Sequence, residues 1–157
     1  MNYKIVPMTI DDIKQAAEIE RLSISQPWSE NAFLAELYNE QAVMLCAKNT
    51  DSGEVCGFIA ASYVLDEVNI NSIAVAEKYR KNGIGQALLY SLFEAVKDFA
   101  ASVMLEVRQS NFPAIALYQK AGFAKVGMRK NFYENPSENA VLMTKFIGGS
   151  NLENTCN

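Results

Sequence analysis

Arg80-Lys81-Asn82-Gly83-Ile84-Gly85 stands between two apolar runs. Ile70-Asn71-Ser72-Ile73-Ala74-Val75 before it reads as a strand, and Gln86-Ala87-Leu88-Leu89-Tyr90-Ser91-Leu92-Phe93 after it reads as a helix. A basic, glycine-containing turn that opens a helix directly after a strand gathers unpaired N–H groups at the positive end of a helix dipole, which favours a phosphate or pyrophosphate. A P-loop is excluded, because Lys and Ser/Thr do not follow the second glycine. A dinucleotide fold has more in its favour, since the turn follows a strand, opens a helix, and Glu106 lies about twenty residues on. Against it, Leu88 occupies the place of the third glycine, and the three strands ahead read as an antiparallel meander. A glycine turn that is only structural is the third reading.

The rest of the chain sets the context of this turn. Tyr3–Pro7 reads as a strand, and Thr9 or Asp11 can cap a helix with Ile13, Ala16, Ala17, Ile19 and Leu22 at helical spacing. Gln26-Pro27-Trp28-Ser29 breaks it, and Ser29 caps a second helix containing Phe33, Leu34 and Leu37. Residues 42–48 and 55–65 read as strands joined by Asn49-Thr50-Asp51-Ser52-Gly53, and residues 66–75 as a third. The helix behind the glycine turn should bury Ile84, Leu88, Leu92, Ala95, Val96 and Phe99. A strand over 102–107, a helix over 111–120 starting near Pro113 and stopping at Gly122, and strands over 124–132 and 139–147 complete the order. The expectation is a single α+β domain over 1–147, a mixed, mostly antiparallel sheet flanked by helices, with 148–157 a polar, disordered tail.

At 157 residues, half apolar and a fifth charged, the chain can bury one sizeable core. A net charge of −4 and a pI near 4.9 argue against general nucleic-acid binding. No apolar stretch approaches membrane-spanning length and no basic start precedes an apolar run, so neither a membrane nor a signal peptide is expected. Cys46, Cys56 and Cys156 lack metal-ligand spacing, which points to a reduced, cytoplasmic protein without a metal site. The chain has no histidine, so acid–base work falls to carboxylates, tyrosines, cysteines or lysines.

A second block, Leu105-Glu106-Val107-Arg108-Gln109-Ser110-Asn111 followed by Ala114-Ile115-Ala116-Leu117-Tyr118-Gln119-Lys120-Ala121-Gly122-Phe123, narrows the choice. With the R-x-x-G-x-G turn upstream, it resembles the GNAT superfamily of acetyl-CoA-dependent N-acetyltransferases, from the first strand to Ile147. Pro27-Trp28-Ser29-Glu30, Asn71-Ser72-Ile73-Ala74-Val75, Arg129-Lys130-Asn131-Phe132-Tyr133 and Glu138-Asn139-Ala140-Val141-Leu142-Met143 resemble the bacterial ribosomal-protein alanine N-acetyltransferases more narrowly. That family usually carries two tyrosines where this chain has Phe132-Tyr133, so one hydroxyl toward the substrate peptide is missing.

The resemblance implies roles for individual residues. Amides around Lys81, Asn82, Gly83, Ile84, Gly85 and Gln86 would hold the pyrophosphate of acetyl-CoA, and the backbone of Ile73, Ala74 and Val75 would pair with pantetheine, where an N–H can act as an oxyanion donor. By residue type alone those three are a core strand. Glu106 lies between apolar Leu105 and Val107, where a carboxylate either faces water or has a task; the resemblance makes it the general base. The demand is modest, because an α-amino group has a pKa near ~8. Tyr118 reads as a core tyrosine by spacing and as general acid for the leaving thiolate by resemblance. Asn111 reads as a helix cap and, by resemblance, as a cofactor contact. Trp28 and Tyr133 would flank the substrate peptide, with hydrophobic loop anchoring the competing account. The expected reaction is direct acetyl transfer to the N-terminal alanine of a small-subunit ribosomal protein. The alternatives are another N-terminus, a lysine or a small amine as acceptor, or a non-catalytic acyl-CoA-binding module.

Overall fold

The computed structural model describes residues 1–24 and 26–147; the expected tail over 148–157, with Cys156, lies outside the described residues. In chain order the elements are β1 (Tyr3–Pro7), α1 (Ile13–Ser23), α2 (Glu30–Leu37), β2 (Ala42–Asn49), β3 (Val55–Val64), β4 (Glu67–Val75), α3 (Ile84–Val96), β5 (Ser102–Arg108), α4 (Phe112–Lys120), β6 (Ala124–Tyr133) and β7 (Glu138–Phe146). The strands form one seven-stranded sheet in the order β1-β2-β3-β4-β5-β7-β6. β1–β2, β2–β3, β5–β7 and β6–β7 are antiparallel, whereas β4 and β5 are parallel over three pairs, Glu67–Ser102, Val68–Val103 and Asn69–Met104. This is the α+β order expected from the sequence. A parallel pair needs a long crossover, and α3 supplies it. No helix among the described residues is long and apolar enough to cross a membrane.

The chain packs as two compact units, one of residues 1–62 and 71–92, the other of Tyr63–Ile70 and the chain from Phe93 on, with β4 contributing to both. In the first unit, α1 begins after a 3-10 turn over Ile10–Asp12 in which the Thr9 N–H donates to the Asp12 carboxylate at 2.9 Å. Asp12 is almost fully buried and pairs with Lys48 Nζ at 2.7 Å. Burial pushes its carboxyl up, but the bonds from Lys48 and Thr9 outweigh that and hold it below its ordinary value. The pair therefore contributes stability above about pH 4, the ordinary carboxylate pKa, and loses it as pH falls through the lowered value.

Ile13, Ala16 and Ile19 of α1 join a core with Met8, Phe33, Met44, Cys46, Val55, Phe58 and Ala74. Phe33 sits edge-on between Trp28 and Phe58, each ring centroid 5.3 Å away. Leu22, expected on the buried face, is 71% exposed; the row Ile13–Ala16 continues to Glu20 instead, because a helix advances 100° per residue. Ser29 caps α2 by accepting from the Ala32 N–H, as its sequence position suggested. Cys46 and Cys56 are core residues, and burial, with the charge of Asp12, pushes the Cys46 thiol up to about 12.

In the second unit, β5 lies between β4 and β7, and its ladder with β7 runs from Ser102 to Arg108. Val103, Leu105, Phe123, Val141 and Met143 are buried. Two positions assigned to the inner face of the helix behind the glycine turn differ: Ala95 is exposed, and Phe99 lies beyond the end of α3, partly exposed, with its ring 4.7 Å from that of Tyr63. Leu89, not assigned to that face, is fully buried, because the apolar stripe is wider than the i, i+4 row.

Gly57 shows how tightly the first unit is built. A Cβ there would meet the Ala74 carbonyl oxygen at 2.8 Å and Val75 Cα at 3.3 Å. These are backbone atoms, so relief requires β3 and β4 to part. Gly57→Ala is expected to cost about 1–3 kcal/mol, read as a lowered urea midpoint; an unchanged midpoint would show that the two strands separate there without cost.

Candidate active site

In the first unit the glycine turn is built largely by its own chain. Lys81 and Gly83 take φ of +67° and +77°, a conformation that a side chain resists at Lys81 and that Gly83 adopts freely. The Asn82 side-chain amide donates to the Tyr79 and Arg80 carbonyls at 3.0 and 3.2 Å. Arg80 Nε donates to the Val75 carbonyl at 3.1 Å, tying the turn to the end of β4. Arg80 is thus a brace of the turn as well as a charge beside it.

The first intrahelical bond of α3 runs from the Ala87 N–H to the Gly83 carbonyl at 3.0 Å, so the amides of Ile84, Gly85 and Gln86 precede it. The space beside Gly83 is open, the nearest atom to a Cβ placed there being the Tyr3 hydroxyl at 4.0 Å. Gln86 Nε2 donates to the Tyr90 hydroxyl at 2.7 Å, while its Oε1 is buried with no hydrogen-bond partner. On β4, the ladder with β5 ends at Asn69, so Ile73, Ala74 and Val75 take no part in it. Trp28 packs against Phe33 and is partly buried, and its N–H donates to Glu20 Oε2 at 2.7 Å.

In the second unit, Glu106 lies opposite Leu142 in the β5–β7 ladder and its side chain is 28% exposed. Its Oε1 is 3.7 Å from Arg129 Nε, and its Oε2 is buried without a hydrogen-bond partner. A carboxylate oxygen left bare in this way is ready to accept a proton or a water. Tyr118 on α4 is 7% exposed, its ring 5.9 Å from that of Phe123. Burial, with an addition from Tyr133, pushes the Tyr118 hydroxyl well above the usual phenol range, so it stays protonated at ordinary pH. Burial first, and then the charge of Glu106, pushes Tyr133 up to about 12. Tyr133 thus feels the charge of Glu106, and Tyr118 feels Tyr133. Asn111 caps α4, its side chain accepting from the Ala114 N–H at 3.2 Å.

Sequence reasoning did not single out Arg108 and Glu138, which hold Tyr133 in place. The Arg108 guanidinium lies 4.5 Å from the centroid of the Tyr133 ring and donates to the Glu134 and Pro136 carbonyls, each at 2.9 Å. It also meets Glu138 Oε1 at 3.3 Å, and Glu138 Oε2 accepts the Ser110 N–H at 2.5 Å. The bond from Ser110 holds the Glu138 carboxyl below its ordinary range. The available signal was Arg108 two residues from Glu106 on the same strand, hence on the same face. Phe132 meets Tyr133 edge to face, the ring centroids 5.1 Å apart, and is exposed, carrying no hydroxyl where a second tyrosine is usual in the family the chain resembles.

Comparison with known proteins identifies the family. The family model described as acetyltransferase (GNAT) family matches residues 10–123. The Escherichia coli K12 [ribosomal protein bS18]-alanine N-acetyltransferase is 36% identical over 135 residues, covering 84% of this chain and 89% of that one. An N-alpha-acetyltransferase of Sulfurisphaera tokodaii is 34% identical over 155 residues, covering 90% and 91%. The crystal structure of the Escherichia coli ribosomal-protein-S18-alanine N-acetyltransferase superposes with a TM-score of 0.84 at 33% identity, over 93% of this chain and 94% of that one. With the glycine turn at the start of α3, the short parallel β4–β5 pair and the match over most of its length, the chain belongs to the GNAT acetyltransferase family.

Proposed function

We propose that this protein transfers the acetyl group of acetyl-CoA to the N-terminal α-amino group of a protein, the N-terminal alanine of a small-subunit ribosomal protein being the acceptor. The observation that carries the reading is Glu106: a largely buried carboxylate on β5 with one oxygen bare, its charge felt by Tyr133. Similarity to a bS18-alanine N-acetyltransferase and to an N-alpha-acetyltransferase supports the acceptor class. A ribosomal substrate fits a cytoplasmic protein that needs no direct contact with nucleic acid or membrane.

The residues present suit acetyl-CoA. The amides of Ile84, Gly85 and Gln86, with Lys81, Asn82 and Gly83, form a donor set for the pyrophosphate, and the orphaned Gln86 Oε1 can accept a bond there. Ile73, Ala74 and Val75 offer strand backbone to the pantetheine amides, Asn111 adds a polar contact, and no metal is invoked. When bound, acetyl-CoA supplies an acetyl group already activated as a thioester. Glu106 takes a proton from the incoming amine, directly or through water, as nitrogen bonds to the acetyl carbon and the carbon–sulfur bond breaks. Tyr118, kept protonated by burial, donates its proton to the departing sulfur. A thiol pKa near ~8.5 makes the thiolate a fair leaving group, so Tyr118 assists rather than being indispensable. Trp28 and Tyr133 bind the peptide, Tyr133 held in place by Arg108.

Incubation with acetyl-CoA and a panel of N-terminal peptides, read by mass, tests the acceptor. Acetylation of the α-amine of alanine-starting ribosomal peptides is expected. Preference for lysine side chains or polyamines would overturn the acceptor, and tight CoA binding without turnover on any amine would overturn the enzyme. Glu106→Gln should lower kcat by about 100-fold or more with CoA affinity nearly unchanged; a large loss of CoA binding would contradict its role as base. Tyr118→Phe should also lower kcat, by roughly 10-fold or more, at unchanged cofactor affinity, and unaltered turnover would remove it as the acid.

A further inference from the structure

Glu20 is an acid in the core of the first unit with no part in the chemistry above. It is 1% exposed, on the face of α1 that carries Ile13 and Ala16, and no salt bridge reaches it among the described residues. Burying a carboxyl without a cation is costly unless its oxygens are hydrogen-bonded. Both are: Oε1 accepts from the Ser72 hydroxyl and Oε2 from the Trp28 N–H at 2.7 Å. The backbone carbonyl of the same residue accepts the Ile24 N–H at 2.9 Å. One residue thus holds Ile24 through its main chain and Trp28 through its side chain. The third partner, Ser72, immediately precedes Ile73-Ala74-Val75 on β4.

We propose that Glu20 is a positioning residue, which fastens the Trp28 segment to β4 at Ser72 so that the peptide-binding loop and the cofactor strand keep a fixed register. This rests on the reading of Trp28 as a peptide contact and of Ile73–Val75 as a cofactor contact. Packing alone does not supply that register. The Trp28–Phe33 contact is edge-on between two rings and fixes only the indole, whereas the bonds through Glu20 fix the main chain at Trp28. A leucine would fill the same volume on α1, but would leave the Trp28 N–H and the Ser72 hydroxyl without their acceptor.

Trp28 is the only tryptophan, so its fluorescence reports the loop independently of activity. In Glu20→Ala and in Ser72→Ala the emission should become more open to acrylamide quenching. The KM for an alanine-starting peptide should rise about tenfold, the equivalent of one lost hydrogen bond, with acetyl-CoA affinity unchanged. Glu20→Gln should restore both readouts to near wild type, because its amide can accept from Trp28 and donate to Ser72. Looser fluorescence with an unaltered peptide KM would overturn the positioning role, and unaltered fluorescence in both variants would overturn the tether itself. Should Glu20→Ala not fold, Ser72→Ala and Glu20→Gln carry the same comparison. A wild-type protein that acetylates no peptide would sink the proposed function instead, leaving the tether to be judged by fluorescence alone.

Discussion

β4 and β5 run parallel for three residue pairs, and a parallel pair cannot be closed by a tight turn. The chain between them must leave the sheet and return, and α3 is that return path. The helix starts nine residues after the last residue of β4, so its unpaired first amides follow directly from the end of a strand whose ladder with β5 has already stopped at Asn69. The turn that opens α3 and a stretch of β4 outside the β5 ladder are therefore consecutive in the chain. The pairs β1–β2, β2–β3, β5–β7 and β6–β7 are antiparallel and impose no such crossover. The parallel β4–β5 pair thus brings the opening of α3 close in sequence to the end of β4.

The acid–base groups follow a different logic, that of burial. Without histidine, the chain draws on a carboxyl and phenols, and the two differ here in how far they are buried. Desolvation raises the phenols, so Tyr118 and Tyr133 remain proton donors. Glu106 keeps nearly a third of its side chain open, with one oxygen uncommitted. The Arg108 guanidinium, lying over the Tyr133 ring and spanning the β6–β7 turn through two carbonyls and Glu138, fixes the phenol beside that carboxylate. A surface ion pair alone would do little here; the two carbonyl bonds and the ring contact give it direction.

The sequence carried the local features well. The caps at Ser29 and Asn111, the order of eleven helices and strands, and the turn at Arg80–Gly85 are all written in short-range signals: a hydroxyl or amide one residue before a helix, glycine and asparagine where the chain must turn, apolar spacing of two or of three and four. What it hid depends on residues far apart in the chain. Glu20 counts as polar in any helical pattern, and its burial is intelligible only with Ser72 fifty-two residues on. In the same helix Ile13, Ala16 and Ile19 are buried as expected, and Leu22 alone turns outward because Glu20 continues the buried row. Arg108 and Glu138 stand thirty residues apart, and neither alone announces a clamp. Trp28 illustrates a mixed case, since its ring anchors the loop to the core as the plainer reading held, while its N–H ties to Glu20.

The two core cysteines bear on how the acetyl group is spent. A thioester exchanges readily with a thiolate, so an accessible cysteine near an activated acetyl group is a competing acceptor. Cys46 is fully buried, with its thiol pushed up to about 12, and Cys56 is fully buried with its thiol raised as well. At neutral pH the Cys46 thiol is therefore held in its un-ionised form. Among the described residues, the fold thus keeps both thiols out of competition with nitrogen for the acetyl group.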